Sequence, residues 1–237
     1  METIELKIVS AGLQVIYKTF LNSNNDTPKY MSQREQILEK AEQLFMKVGI
    51  KSVSMDDLAR HLGVSKKTLY QYFENKSDLV HKVLEAHIER EQAHCLAAKE
   101  NTENAIAEML EVTKFVLAHL RDLSPTTVYD LQKYYQPIYA MMENHHKRET
   151  VAQIEDNIRR GQKEGLYRED VHSGIVARMY SNSSFLIVDE DIFPLREYDR
   201  ETLLMQFVLH HIRGMATEKG LEFLEKNVRG QGTGTDR

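Results

Sequence analysis

The 237-residue chain has one cysteine, no tryptophan, four prolines and eleven glycines. With Cys95 as the single thiol, no internal disulfide can form, which fits a reducing compartment. Scarce proline and glycine leave long stretches in which a helix can run without interruption. No apolar run approaches the roughly 20 residues of a membrane-spanning helix. Glu2, Glu5 and Lys7 break up the apolar residues of the N-terminus, so a signal-peptide core is missing too. There is no strand alternation and no internal repeat. Phosphate-cradling glycine motifs, a nucleophile elbow and paired metal-ligand motifs are also lacking, so no enzyme, cofactor or metal site is expected. What remains is an ordinary balance of 28% charged and 41% hydrophobic residues, enough for one large or two modest domains. The expectation is an all-α protein of the cytoplasm with no membrane partner.

The net charge of −5 argues mildly against a polyanionic partner, but its distribution argues the other way. From Arg60 to Lys82 five lysines and arginines face only Glu74 and Asp78, whereas the residues after Arg90 are net acidic. A basic patch on an acidic body grips a polyanion locally and repels it elsewhere.

Local signals divide the chain. Residues 1–31 hold an amphipathic stretch ended by "NSNNDTP"; they read either as a flexible arm or as a segment preceding a natural start at Met31. From Ser32 the helix signals are dense. Ser32 and Glu35 form a capping box, and Ile37, Leu38, Ala41, Leu44, Phe45 and Val48 follow at helical period before Gly49. Ser54 and Asp57 cap a short second helix ended by Gly63, Ser65 caps a third, and Asn75 caps a fourth that runs toward Glu100. Further helices are expected at about 103–122, 125–133, 135–164, 171–187 and 200–217. Residues 32–90 thus form one domain, 91–220 a second, and 221–237 a polar tail.

Two short helices joined through Leu62-Gly63-Val64-Ser65 have the spacing of a helix-turn-helix. If Leu69 faces the core, Lys67, Tyr70 and Gln71 lie on the opposite face, flanked by Lys66 and Thr68. Such side chains donate to phosphates or read base edges, and the first-turn residues Lys66 and Lys67 come closest to bases. Lys76 opens the following helix, where free backbone N–H groups already favour a phosphate.

Residues 32–90, and above all "VSMDDLARHLGVSKKTLYQYF" with "NKSDLV", resemble the DNA-binding domain of the tetracycline-repressor (TetR) family of bacterial transcriptional regulators. The resemblance implies a helix-turn-helix domain followed by an all-helical regulatory and dimerisation domain, with a DNA operator and a second copy of the chain as partners. It implies that Ser54 and Met55 open the supporting helix near phosphates and that Lys66 and Lys67 face bases. Thr68, Tyr70, Tyr72 and Lys76 would hold the backbone, with Tyr70 and Gln71 also near bases. Tyr72 stands where family members often have His, and Asp56 where some use a basic residue, which puts base contacts from that helix in doubt. A repressor released by a small apolar effector is the function implied; a helical DNA-binding dimer of architectural role, without effector, is the alternative.

Two further groups invite comparison. The aromatics around residues 129–142 line either a ligand pocket or plain core, with Phe115 and His119 facing Tyr135 and Tyr139 in the first case. His87, Glu91 and His94 share a helix face, for which solvent or an interface is a better account than a metal. Finally, the apolar stripes "IVARMYSNSSFLIV" and "LLMQFVLHHI" are expected to pair two subunits in a four-helix interface.

Overall fold

A computed structural model describes residues 31–121 and 123–229. Eleven α-helices run through them in the order α1 Gln33–Val48, α2 Met55–Leu62, α3 Lys66–Tyr72, α4 Lys76–Asn101, α5 Ala105–Arg121 and α6 Pro125–Tyr134, then α7 Gln136–His145, α8 Val151–Lys163, α9 Ser173–Ser184, α10 Arg200–Met215 and α11 Glu218–Arg229. No strand occurs among the described residues; one isolated antiparallel bridge joins Tyr167 to Ala216. The fold is all-α, as the sequence suggests. Both readings of residues 1–30, and the final stretch from residue 230, lie outside the described residues.

The caps form as their chemistry dictates. Ser32 Oγ accepts from the Glu35 amide at 3.3 Å while the Glu35 carboxylate accepts from the Ser32 amide at 2.8 Å. Ser54 and Asp57 repeat the device at α2, and Ser65 and Asn75 cap α3 and α4 through the Thr68 and Asp78 amides. Gly63 ends α2 at φ +69°, ψ +27°, a left-handed geometry that a Cβ would strain. There the Gly63 and Val64 amides turn back onto the Arg60 and Ala59 carbonyls at 3.3 and 3.0 Å, completing a Schellman turn.

The buried side chains fall into two cores. The first gathers Phe45, Leu58, Leu69, Phe73, Leu79 and Val80 of α1–α4 together with Ile138 of α7. The second gathers Ile106, Ile158, Tyr167, Val208, Ile212 and Leu224 of α5, α8, α10, α11 and the turn after α8. Helix α4, 26 residues and so about 39 Å long, contributes to the first core at its start and extends beyond it.

Three expectations change. The helix foreseen over about 135–164 starts at Gln136, after Tyr135 leaves helical geometry at φ −130° and ψ +43°, and it widens into a π turn at His146–Thr150. In that turn the His146 carbonyl accepts from Ser181 Oγ and the His146 ring meets Ser184 Oγ at 2.9 Å. The tail assigned to 221–237 begins later, since α11 runs to Arg229 and buries Leu224 completely in the second core. The stripe on α10 is largely spent inside the subunit: Leu204, Met205, Val208, Leu209 and Ile212 are all buried. On α9, by contrast, Ile175 and Met179 are 56% and 64% exposed.

Candidate nucleic-acid interface and the cavity behind it

Leu69 is fully buried and sets the rotation of α3. The opposite face therefore carries Lys66, Lys67, Tyr70 and Gln71 into solvent, with Thr68 half-buried at its side. Lys67 makes no side-chain hydrogen bond or ion pair among the described residues and is free to meet a partner. Lys66 Nζ lies 2.9 and 3.1 Å from the two Asp56 carboxylate oxygens, and this bond holds its ammonium above the usual range. Both groups are exposed, so the pair is weak. Thr68 shares its hydroxyl with Ser65 Oγ at 2.8 Å, and Tyr72 donates to Gln33 Oε1 at 3.0 Å, fastening α3 to the start of α1. Ser54 is exposed at the N-cap of α2 with its hydroxyl engaged by Asp57.

Two expected DNA contacts do not face outward. Met55 is only 7% exposed, because the residue after the cap turns toward Leu58 and Ala59 and joins the first core. Lys76 folds back: its Nζ donates to the Ile50 carbonyl at 2.6 Å and to the Lys51 carbonyl at 3.3 Å. Burial pushes its ammonium below the usual range, against the pull of Asp130 and Asp57. It secures the loop between α1 and α2 rather than presenting a free charge.

That loop is gripped a second time from the far side, by α6. Thr127 Oγ1 donates to the Phe45 carbonyl at 2.7 Å, and the Ser124 amide donates to the Met46 carbonyl at 2.7 Å. The Asp130 carboxylate accepts from the Lys51 amide at 2.6 Å, and Lys51 Nζ donates to Tyr134 Oη at 2.7 Å. Gly49, at φ +86°, brings the chain so close that a Cβ would stand 2.7 Å from Thr126 Oγ1. Neither Thr127 nor Asp130 stood out in the sequence, since polar residues on a short helix read as solvent-facing.

Behind the helix-turn-helix lies a cavity of about 590 Å³. Phe115, His119 and Tyr139, three of the four residues expected at a ligand, line it together with Met142. Tyr135 does not; its ring packs against the first core, because it is the hinge residue between α6 and α7. His94 stacks on Phe115 at 4.3 Å between ring centroids and His87 meets His119 at 5.3 Å, so the two histidines share the face of α4 that packs on α5.

Glu42 also lines the cavity, and it is the residue the sequence reading missed. It lies four residues after Leu38 and three before Phe45, on the apolar stripe of α1, and a carboxylate in that register was the available signal. His87 Nδ1 donates to Glu42 Oε1 at 2.7 Å, and Arg90 holds Oε2. Burial opposes ionisation of Glu42, but the His87 hydrogen bond and the charges of His87, Arg90 and His119 outweigh it and hold the carboxyl below its usual range.

Residues 37–83 match the model of the family described as bacterial regulatory proteins, tetR family. That segment, which holds the helix-turn-helix, is a DNA-binding domain of the TetR type. An HTH-type transcriptional regulator of Staphylococcus aureus (strain USA300) is 40% identical over 52 residues, which are 22% of this chain and 28% of that relative. The match to such relatives therefore covers the TetR-type domain and little else. Solved structures share the fold over most of the chain. The ketosteroid transcriptional regulator KstR2 of Mycobacterium tuberculosis is 19% identical with a TM-score of 0.55, covering 80% of this chain and 98% of its own. The fatty acid degradation regulator FadR of Bacillus halodurans is 16% identical with a TM-score of 0.60, covering 78% and 98%. A transcriptional regulator of Saccharomonospora viridis, solved in complex with choline, is 19% identical with a TM-score of 0.63, covering 78% and 98%. No helix among the described residues is long and apolar enough to cross a membrane.

Proposed function

We propose that this TetR-family chain is a sequence-specific DNA-binding regulator, a repressor that leaves its operator when a small, largely apolar molecule fills the cavity behind the helix-turn-helix. Lys67, Tyr70 and Gln71 on the open face of α3 read bases in the major groove, while Lys66, Thr68, Ser54 and Tyr72 hold the phosphates on either side. The chain works as a homodimer, its exposed Ile175 and Met179 on α9 packing against the same face of a second copy.

The observation that carries the reading is the position of the cavity. Its walls come from Glu42, Phe45 and Met46 of α1 as well as from α4, α5, α6 and α7. An occupant therefore touches the DNA-binding domain and the regulatory body at once, and can favour one relative placement of the two. A protein of the same fold, the Saccharomonospora viridis regulator, was solved in complex with the small molecule choline. An architectural DNA-binding dimer would have no use for such a space.

The test has two arms. Promoter fragments from the source genome are selected for binding to the full chain, and fluorescence anisotropy on the selected fragment then measures affinity with and without small-molecule extract. Salt-dependent, sequence-selective binding that extract weakens supports the proposal. Binding to all fragments alike refutes specificity, and binding that no extract alters refutes the effector.

A further inference from the structure

We propose that Glu42, His87 and His119 form a binding site for a divalent transition-metal ion of the zinc class, pinning the DNA-binding domain to the regulatory domain. The three come from three elements: Glu42 from α1, His87 from α4 and His119 from α5. One ligand atom from each lies within 4.8 Å of the others. Around zinc, with metal–ligand distances of about 2.0–2.2 Å, tetrahedral ligand atoms stand roughly 3.3–3.5 Å apart. Two imidazoles and one carboxylate are a donor set that zinc accepts with one coordination position left open.

The non-coordinating atoms of two ligands are already held. His119 Nδ1 lies 2.8 Å from the Phe115 carbonyl oxygen, which can only accept, so Nδ1 carries the proton and Nε2 is left with its lone pair. At Glu42 the arginine occupies Oε2 and leaves Oε1 toward His87. Partners of this kind, a backbone carbonyl behind a histidine and a donor behind a carboxylate, orient the ligands of protein metal sites. The 2.7 Å contact between His87 Nδ1 and Glu42 Oε1 holds one proton where the ion would sit. On coordination that proton passes to His87 Nε2 or to solvent, and the ion bonds to the freed Nδ1 and Oε1.

The setting is suited to a cation in spite of Arg90. Glu91, one turn beyond His87 on α4, lines the same cavity and supplies a second carboxylate to balance the ion. The Glu42 side chain is only 12% accessible, so an ion there would be shielded from competing anions yet open to whatever enters the cavity. The ion would thereby become part of the cavity wall. As a regulatory device this rests on the proposed sensing function; as a metal site it does not.

The test uses the full chain, stripped with chelator and titrated with Co(II), whose visible ligand-field bands report coordination. The expected result is one Co(II) per chain with tetrahedral-type bands, displaced by Zn(II), and an upward shift in melting temperature with either ion. Glu42→Gln and His119→Gln should each abolish the bands, while His61→Gln, an exposed histidine on α2, should keep them. No stoichiometric Co(II) binding at micromolar concentration overturns the proposal, as does binding that survives in both ligand variants. Should a ligand variant fail to fold by circular dichroism, the histidine side-chain resonances of the unaltered chain decide. Zn(II) must then shift those of His87 and His119, and unchanged resonances overturn the site. No DNA enters this assay, so its failure leaves the operator reading standing, and the reverse also holds.

Discussion

Replacing Asp130 by alanine should loosen the grip of α6 on the DNA-binding domain. The carboxylate is 6% exposed and accepts from the Lys51 amide at 2.6 Å. Removing it deletes a hydrogen bond to a charged group, a class that contributes about 1.5–3 kcal/mol, and leaves the Lys51 amide without that acceptor. It also takes away one of the two carboxylates that favour the charged form of Lys76. Lys51 is itself exposed, so water can partly replace the lost partner. We therefore expect the lower half of that range, about 2 kcal/mol, which for a chain of this size lowers the melting temperature by roughly 4–8 °C. Asp130→Asn keeps an acceptor oxygen and should cost about half as much. Calorimetry measures the stability, and native-state hydrogen exchange at the Lys51 amide should show faster exchange in Asp130→Ala than in Asp130→Asn. If Asp130→Ala melts within about 0.5 kcal/mol of the parent, the range of an ordinary surface substitution, α6 does not hold the domain through this bond.

Other outcomes follow from the same geometry. Lys67→Ala should change preference among operator sequences, read by anisotropy on an operator panel, while Lys76→Ala should act mainly by lowering the melting temperature, since its ammonium is tied to two carbonyls. Gly63→Ala should cost about 1–2 kcal/mol through its left-handed backbone alone, because no atom stands within 4 Å of the new Cβ; a denaturant midpoint equal to that of the parent would refute this. Burial pushes His211 down to about 4, and its Nε2 has no hydrogen-bond partner among the described residues. Between its ordinary value near 6.5 and about 4, the unfolded chain binds the proton that the folded chain refuses, so stability falls as pH falls through that window, on the order of 3 kcal/mol. His211→Phe should flatten this part of the pH–stability curve, and an unchanged curve would assign the loss to other groups. Met179→Glu should turn the dimer to monomer in sedimentation equilibrium, and a dimer that survives it places the interface elsewhere.

The helix-turn-helix was legible because its signals are local. Ser32 with Glu35, Ser54 with Asp57, and Asn75 with Asp78 each act within a single turn, so reading the residues in order is enough to place the helix starts. Legibility failed wherever a side chain's direction is decided by something far along the chain. Lys76 looked like a phosphate ligand until carbonyls some 25 residues earlier claimed it. Met55 looked like a contact until the first core closed over it. Tyr135 offers an aromatic ring, but its place between α6 and α7, at φ −130° and ψ +43°, makes it a hinge. The cluster of Glu42, His87 and His119 spans three helices, and no spacing rule along one helix could assemble it. The sequence suggests no helix at α11, because "GLEFLEK" sits beside a glycine-rich end; only the burial of Leu224 shows that it belongs to the body.

Helix α4 crosses the place where the sequence suggests a boundary at residue 90. The more telling seam runs across the chain: Ile138 of α7 is buried in the core of the DNA-binding domain, and α6 bonds the loop after α1. The reading head is therefore not a detachable module. A chimera that joined residues 31–101 to another regulatory body would leave Ile138's place in that core vacant and the Lys51 amide without its partner. A transplant of this helix-turn-helix into another body has to carry the matching surfaces of α6 and α7 with it.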